Sequence, residues 1–310
     1  MACIPACFDT RRGSIVGSPS QSIDEERRLR IGLCMLLWTT RVDESYRRLL
    51  EDIKATGYDG VEIPVFEGQP DEYAALGRML DQIELARTAI TVVPTEETNP
   101  LAEDPAVRRA AVAYINRCVD CAQALGAEQL AGPLQQTLGH FSGAAPTDAE
   151  RERARDVHRL AGDYAAERGV RLVLEAVNRF ESYFATTMHE LAAYLDMVAH
   201  PAVTGMYDTF HANIEERDPI AAISESYRHI SYVHVSENDR GVPGRGHVPW
   251  VDTFEMLKRS GYDGWLTIEA FGRGLPELAA ATRIWRDLSE SPEAVYRDGY
   301  AHIRDTWAAA

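Results

Sequence analysis

The chain has 310 residues and a mass of 34.5 kDa, a length that one α/β barrel fills as readily as two smaller domains do. With 45% hydrophobic and 26% charged residues, and no apolar run near the ~18 residues that span a bilayer, the composition argues against a membrane span. Against 32 Lys and Arg stand 48 Asp and Glu, and the net charge of -16 repels a phosphate backbone, so nucleic acid is not an expected partner.

Residues 1–29 open with MACIPACF, which lacks a basic segment and has its apolar run broken by Pro5, so no signal peptide is expected. The Gly, Ser, Pro and charge cluster that follows reads as a loosely ordered arm, and residues 30–310 read as a single catalytic domain. From Arg30 onward, short β-branched runs alternate with longer amphipathic stretches. The runs are Arg30 to Leu36, Tyr58 to Pro64, Thr88 to Pro94, Ala127 to Pro133, Arg171 to Val177, Val203 to Thr209, Ser231 to Glu237 and Trp265 to Phe271. Their continuous hydrophobicity suits parallel strands covered on both faces. Asp43 before the first amphipathic stretch, and Gly57, Gly169 and Gly261 just before strands, punctuate the helices between them. Run starts lie 28 to 44 residues apart, which fits eight βα units and predicts a closed (β/α)8 TIM barrel. An open doubly wound sheet would need a Gly-rich phosphate loop, and no GxGxxG or Walker motif is present. Residues 287–310 are expected to form a final helix packed on the outside.

Five cysteines (Cys3, Cys7, Cys34, Cys118, Cys121) are too few for a disulfide framework and point to a reduced, cytoplasmic setting. Cys118 and Cys121 make a CxxC pair, but inside a helical stretch and without a second CxxC they read as packing residues.

In a TIM barrel the chemistry sits at the C-terminal strand ends. Strand five ends at Glu175 in LEAVNRFE, six at Asp208 in DTFHANIEE, seven carries His234 in HVSENDRG, and eight carries Glu269 in TIEAF. Three carboxylates and an imidazole converging on one mouth repel unless a cation neutralises them, and an oxygen-dominated set suits Mn²⁺, Co²⁺ or Mg²⁺. Glu181, His211 and Arg240 follow in loops on the same face. Glu62, ending strand two in GVEIP, is expected to face the same cavity, behind the ligands or against substrate.

The segments LEAVNRFE, DTFHANIEE, HVSENDRGVPGRGHVPW and IEAF resemble the signature of the ketose 3-epimerases, the tagatose and allulose (psicose) group of the xylose-isomerase-like TIM barrels. The resemblance implies a divalent-metal-dependent epimerase acting at carbon 3 of an unphosphorylated ketose. It implies that Glu175, Asp208, His234 and Glu269 bind the metal, that Glu175 and Glu269 double as the acid/base pair, and that Glu181, His211 and Arg240 contact the oxygens of carbons 1 to 3. It also implies a homodimer or homotetramer. The chemistry agrees, since inversion next to a ketone requires a cation to stabilise the enediolate and two groups to serve opposite faces. Near strands one and four, where that family places aromatics around the far end of the sugar, the candidates are Trp38, Phe66 and Phe141.

Other readings use the same site. A lyase acting on 3-keto-glycosides and an aldose–ketose isomerase would keep the metal and carboxylates. A DNA-repair nuclease would need a richer histidine set than the nine present, and a non-catalytic sugar-binding module has no use for two opposed glutamates.

Overall fold

Each of the eight apolar runs forms a strand in the computed structural model, which describes residues 29–310, so the expected arm, Leu29 apart, lies outside the described residues. The strands are β1 (Arg30–Cys34), β2 (Gly60–Pro64), β3 (Ala86–Ile90), β4 (Gln129–Gly132), β5 (Arg171–Glu175), β6 (Val203–Asp208), β7 (Ile230–Val235) and β8 (Trp265–Ile268). They pair in sequence order, all parallel, and β8 closes on β1 with Arg30 opposite Trp265. This is the closed barrel that the spacing predicts. Several strands stop earlier than their runs because the last apolar residues turn into loops: Leu36, Val92 and Phe271 line a cavity at the barrel mouth.

The helices are α1 (Arg47–Thr56), α2 (Pro70–Ile83), α3 (Pro105–Leu125), α4 (Asp148–Glu167), α5 (Met188–Val198), α6 (Thr209–Glu215), α7 (Pro219–Ser226), α8 (Trp250–Arg259), α9 (Pro276–Thr282) and α10 (Pro292–Ala309). Asp43 caps a 3₁₀ turn that leads into α1, accepting from the Ser45 N–H at 2.9 Å. Helix α1 buries Leu50 and Ile53 one turn apart, each contributing about 2 kcal/mol, and stops at Gly57, whose φ of 120° a side chain would resist. The final helix starts at Pro292 rather than 287, after the Ser291 cap. Cys118 and Cys121 are free and buried on α3, as packing residues are. No helix among the described residues is long and apolar enough to cross a membrane.

Inside the barrel, Ala131, Val173, Met206, Tyr232 and Trp265 form one buried cluster. Trp265 fits because glycines face it: a Cβ at Gly60 would lie 2.6 Å from its ring, and one at Gly32 3.2 Å. Side chains alternate along a strand, so two residues beyond Val173, Met206 and Tyr232 the same inward face carries Glu175, Asp208 and His234. The apolar plug thus forms a floor beneath a polar layer.

Candidate active site

Glu175, Asp208, His234 and Glu269 meet above that floor, each less than a twentieth exposed. Asp208 ends β6 and caps α6, accepting from the backbone N–H groups of Phe210 at 2.6 Å and His211 at 3.1 Å, which aims its second oxygen at the barrel axis. His234 stands at the centre. Its Nδ1 lies 3.6 Å from Asp208 Oδ2, 3.7 Å from Glu269 Oε2 and 3.9 Å from Glu175 Oε1, and makes no hydrogen bond among the described residues. Its Nε2 donates to Glu62, 3.2 and 3.1 Å from the two carboxylate oxygens.

That arrangement fits a divalent cation. With one proton of His234 committed to Glu62, Nδ1 faces carboxylate oxygens that draw a positive charge. Although burial opposes it, the charges of Glu62 and Glu269 hold the ring's proton affinity well above the usual range, and a divalent cation would take that second proton's place. Glu175, Asp208 and His234 each offer an atom within 4.8 Å of the others. Glu269, expected as a fourth ligand, stands beside this triad with Oε2 bonded to Arg240 Nη1.

Glu62 does not reach the cavity as a substrate contact would. It is fully buried behind His234, because β2 carries it on the inward face below the mouth, and there it also accepts from the Tyr232 hydroxyl at 2.8 Å. Tyr232 in turn is bonded to Thr88 Oγ1 at 2.9 Å and Thr267 Oγ1 at 2.8 Å. The single phenolic proton faces two acceptors, Glu62 and Thr267, and is shared between them.

Arg240 is buried with a φ of 66°, an unusual conformation for a side chain of its size, and its guanidinium lies 4.0 Å from the Phe210 ring and 5.0 Å from the Phe271 ring. It reaches Glu269, Asp208 at 3.4 Å and His211 Nε2 at 3.0 Å. The backbone and side-chain N–H groups of Asn178 lie 3.1 and 2.9 Å from His211 Nδ1, so both ring nitrogens face donors, Nδ1 those of Asn178 and Nε2 that of Arg240, and Nε2 also lies 3.6 Å from Glu175 Oε1. Glu181 accepts from Asn178 Nδ2 at 2.7 Å and so reaches His211 through that amide.

The electrostatics follow from burial and neighbours. Burial, then the charge of Glu269, holds the Glu175 carboxyl well above the usual range. Burial also raises Glu269, against the pull of Arg240 and His234. Burial would raise Asp208 as well, but the Arg240 guanidinium and His211 outweigh it and hold Asp208 low. Burial pulls His211 down to about 4, so the ring is neutral near pH 7.

A cavity of 660 Å³ opens above these groups. Glu175, Glu181, His211, Arg240 and Glu269 line one side, and Leu36, Phe66, Ile90, Val92 and Phe271 line the other. Of the expected aromatics only Phe66 lies there: Trp38 packs on Tyr296, 6.0 Å between ring centroids, and Phe141 is exposed. Sequence reasoning missed three parts of the site. Asn178 lay unremarked within LEAVNRFE, Tyr232 reads as an ordinary core aromatic in ISYVHV, and α9 lays Glu277, Leu278 and Thr282 over the cavity from a stretch with no distinguishing motif. Strand alternation alone offered a signal for Tyr232, two residues before His234.

The family model of the xylose isomerase-like TIM barrels matches residues 50–306. Over 284 residues the chain is 31% identical to the ketose 3-epimerase of Arthrobacter globiformis, covering 91% of this chain and 98% of the relative. It is 29% identical to the probable ketose 3-epimerase of Synechocystis sp. over 280 residues, 90% of this chain and 97% of that one. The crystal structure of the D-allulose 3-epimerase from Methylomonas sp. in complex with D-allulose superposes with a TM-score of 0.84 at 27% identity, covering 90% of this chain and 98% of the other. A barrel of the same closure, a carboxylate and histidine cluster at its mouth and relatives matched nearly end to end lead to one conclusion: the chain belongs to the ketose 3-epimerases, isomerases of the xylose isomerase-like TIM-barrel family.

Proposed function

We propose that the chain inverts carbon 3 of a free, unphosphorylated ketose, with Mn²⁺, or alternatively Co²⁺ or Mg²⁺, held by Glu175, Asp208, His234 and Glu269. The observation that carries this reading is the ring of three carboxylates around the unbonded Nδ1 of His234. A cation bound there would polarise the carbonyl and make the neighbouring C–H acidic. Glu175 and Glu269 come from the two ends of the β5–β8 arc, with Asp208 and His234 between them, so the two glutamates address carbon 3 from different sides. One takes the proton from carbon 3 and the other delivers a proton to the opposite face, the roles exchanging with the direction of reaction.

The remaining groups orient the sugar. His211, neutral near pH 7, contacts the oxygen of carbon 2, while Arg240 and Glu181 hold the carbon-1 end and the oxygen of carbon 3. Arg240 is fixed for this by its two aromatic neighbours, so little side-chain entropy is lost on binding. Glu62 positions His234 from behind.

Charge favours a sugar without phosphate. Glu67, Glu175, Glu181, Glu269 and Glu277 line the cavity, and Arg240 is the one guanidinium among its described lining residues. Arg245 and Arg273, the other candidates for an anion, are engaged elsewhere: Arg245 pairs with Glu290 at 2.5 Å and Asp298 at 2.7 Å, and Arg273 with Asp287 at 2.8 Å.

Chelator treatment tests the metal requirement. Turnover of a ketose panel should vanish with the cation and return on adding Mn²⁺ or Co²⁺; full turnover in protein verified metal-free by elemental analysis would refute the metal assignment.

A further inference from the structure

The cavity does not end where one sugar would. Leu138, Glu181, Arg240, Ala281 and Thr282 line both it and a second recess of 790 Å³, so the two spaces adjoin. Ordinary small-molecule sites occupy about 300–1,000 Å³, so each of the two spaces alone is the size of a complete site.

The walls of the recess are aromatic and its rim is polar. Phe180, from the loop after β5, Phe210, on α6, and Trp285, from the segment after α9, line the recess. Trp285 is 69% exposed and Phe180 73%, so two large rings face water beside the site. Asp239, Arg283 and Arg286 supply the polar rim. Arg286 lies 3.7 Å from Asp239, and with Arg240 and Glu181 the recess carries both signs of charge. Aromatic faces stack on the C–H face of a pyranose, and mixed polar groups around them take its hydroxyls.

The position of the recess says where the second ring is attached. Arg240 and Glu181 belong to both spaces, and on the function proposed above, on which this inference rests, they hold the carbon-1 end of the ketose. Leu36, Phe66, Ile90 and Val92, which the far end faces, line the cavity and not the recess. We propose that the recess is a subsite for a second glycosyl ring, so that the protein accepts ketoses carrying a glycosyl group on the carbon-1 oxygen in preference to those carrying it on carbon 6.

The test uses the full chain loaded with Mn²⁺ and three probes: D-fructose, 1-O-α-D-glucosyl-D-fructose and 6-O-α-D-glucosyl-D-fructose. Calorimetric titration gives affinity, deuterium exchange into carbon 3 gives turnover, and light scattering gives the number of subunits. The 1-O-linked disaccharide should bind about ten-fold or more tightly than the 6-O-linked one, a difference of about 1.4 kcal/mol. Trp285→Ala and Phe180→Ala, both at exposed positions, should each shrink that preference. Equal affinities for the two disaccharides, or a preference unchanged in both variants, would overturn the subsite. So would a variant that alters the number of subunits, since the rings would then belong to a subunit contact. Absence of exchange into D-fructose would instead count against the epimerase reading, while the calorimetric comparison would still decide the subsite.

Discussion

At the scale of single residues, the site is a matter of where each proton is spent. Tyr232 donates toward Glu62 and Thr267 and is bonded to Thr88, Glu62 accepts from His234 Nε2, and Nδ1 is left to the carboxylates. Breaking this order should loosen the metal without dismantling the barrel. Glu62→Gln and Tyr232→Phe should each weaken Mn²⁺ binding about 10–100-fold in calorimetric titrations of the metal-free protein, Glu62→Gln the more strongly. Wild-type affinity in both folded variants would show that Glu62 and Tyr232 only fill space. Legibility divides along the same line. Glu175, Asp208, His234 and Glu269 were readable because polar residues ending apolar strands are conspicuous. Tyr232 was not, because its partner Glu62 lies 170 residues away and only barrel closure brings them together.

At the scale of elements, strands were legible and the pieces that cover them less so. Runs such as RLVLEAV identify themselves by continuous apolar character, whereas the seven-residue α9 is too short to show a helical period and owes its place to the cavity beneath it. Helix α4 illustrates how a polar group ties elements together. Its His158 is fully buried, with Nδ1 2.5 Å from the Tyr194 hydroxyl of α5 and Nε2 3.1 Å from the Leu134 carbonyl in the loop after β4. Burial, against the smaller opposing effect of the Leu134 and Ala154 backbone groups, pulls His158 from 6.5 down to about 4. The unfolded chain therefore takes up a proton near pH 6.5 that the fold refuses until about pH 4. The resulting stability is complete above pH 6.5 and declines as the pH falls through this window, by up to about 3 kcal/mol. Urea unfolding between pH 7 and pH 4 should show this loss, and His158→Gln, which keeps a neutral amide there, should flatten it. An identical slope in the variant would assign the acid sensitivity to other groups.

At the scale of the whole molecule, charge and closure act together. A net charge of -16 and a mouth rich in carboxylates disfavour anionic substrates before any contact forms. A free ketohexose should accordingly be turned over with a kcat/KM at least about ten-fold above that of its 6-phosphate. A preference for the ester, measured side by side, would mean that Arg245 or Arg273 leaves its surface pair to bind phosphate. Closure is what brings four separated strand ends into one cluster of three carboxylates and an imidazole, and it is the step that chain spacing predicts most directly. The central claim is that Glu175 and Glu269 serve the two faces of carbon 3, and exchange in deuterated water tests it most directly. The wild-type protein loaded with Mn²⁺ should place deuterium at carbon 3 of both epimers of its ketose, while Glu175→Gln and Glu269→Gln each lose epimerisation by at least about 100-fold with the metal retained. Near-normal epimerisation in either metal-loaded variant, or epimers formed without solvent deuterium at carbon 3 in any ketose tested, would contradict it.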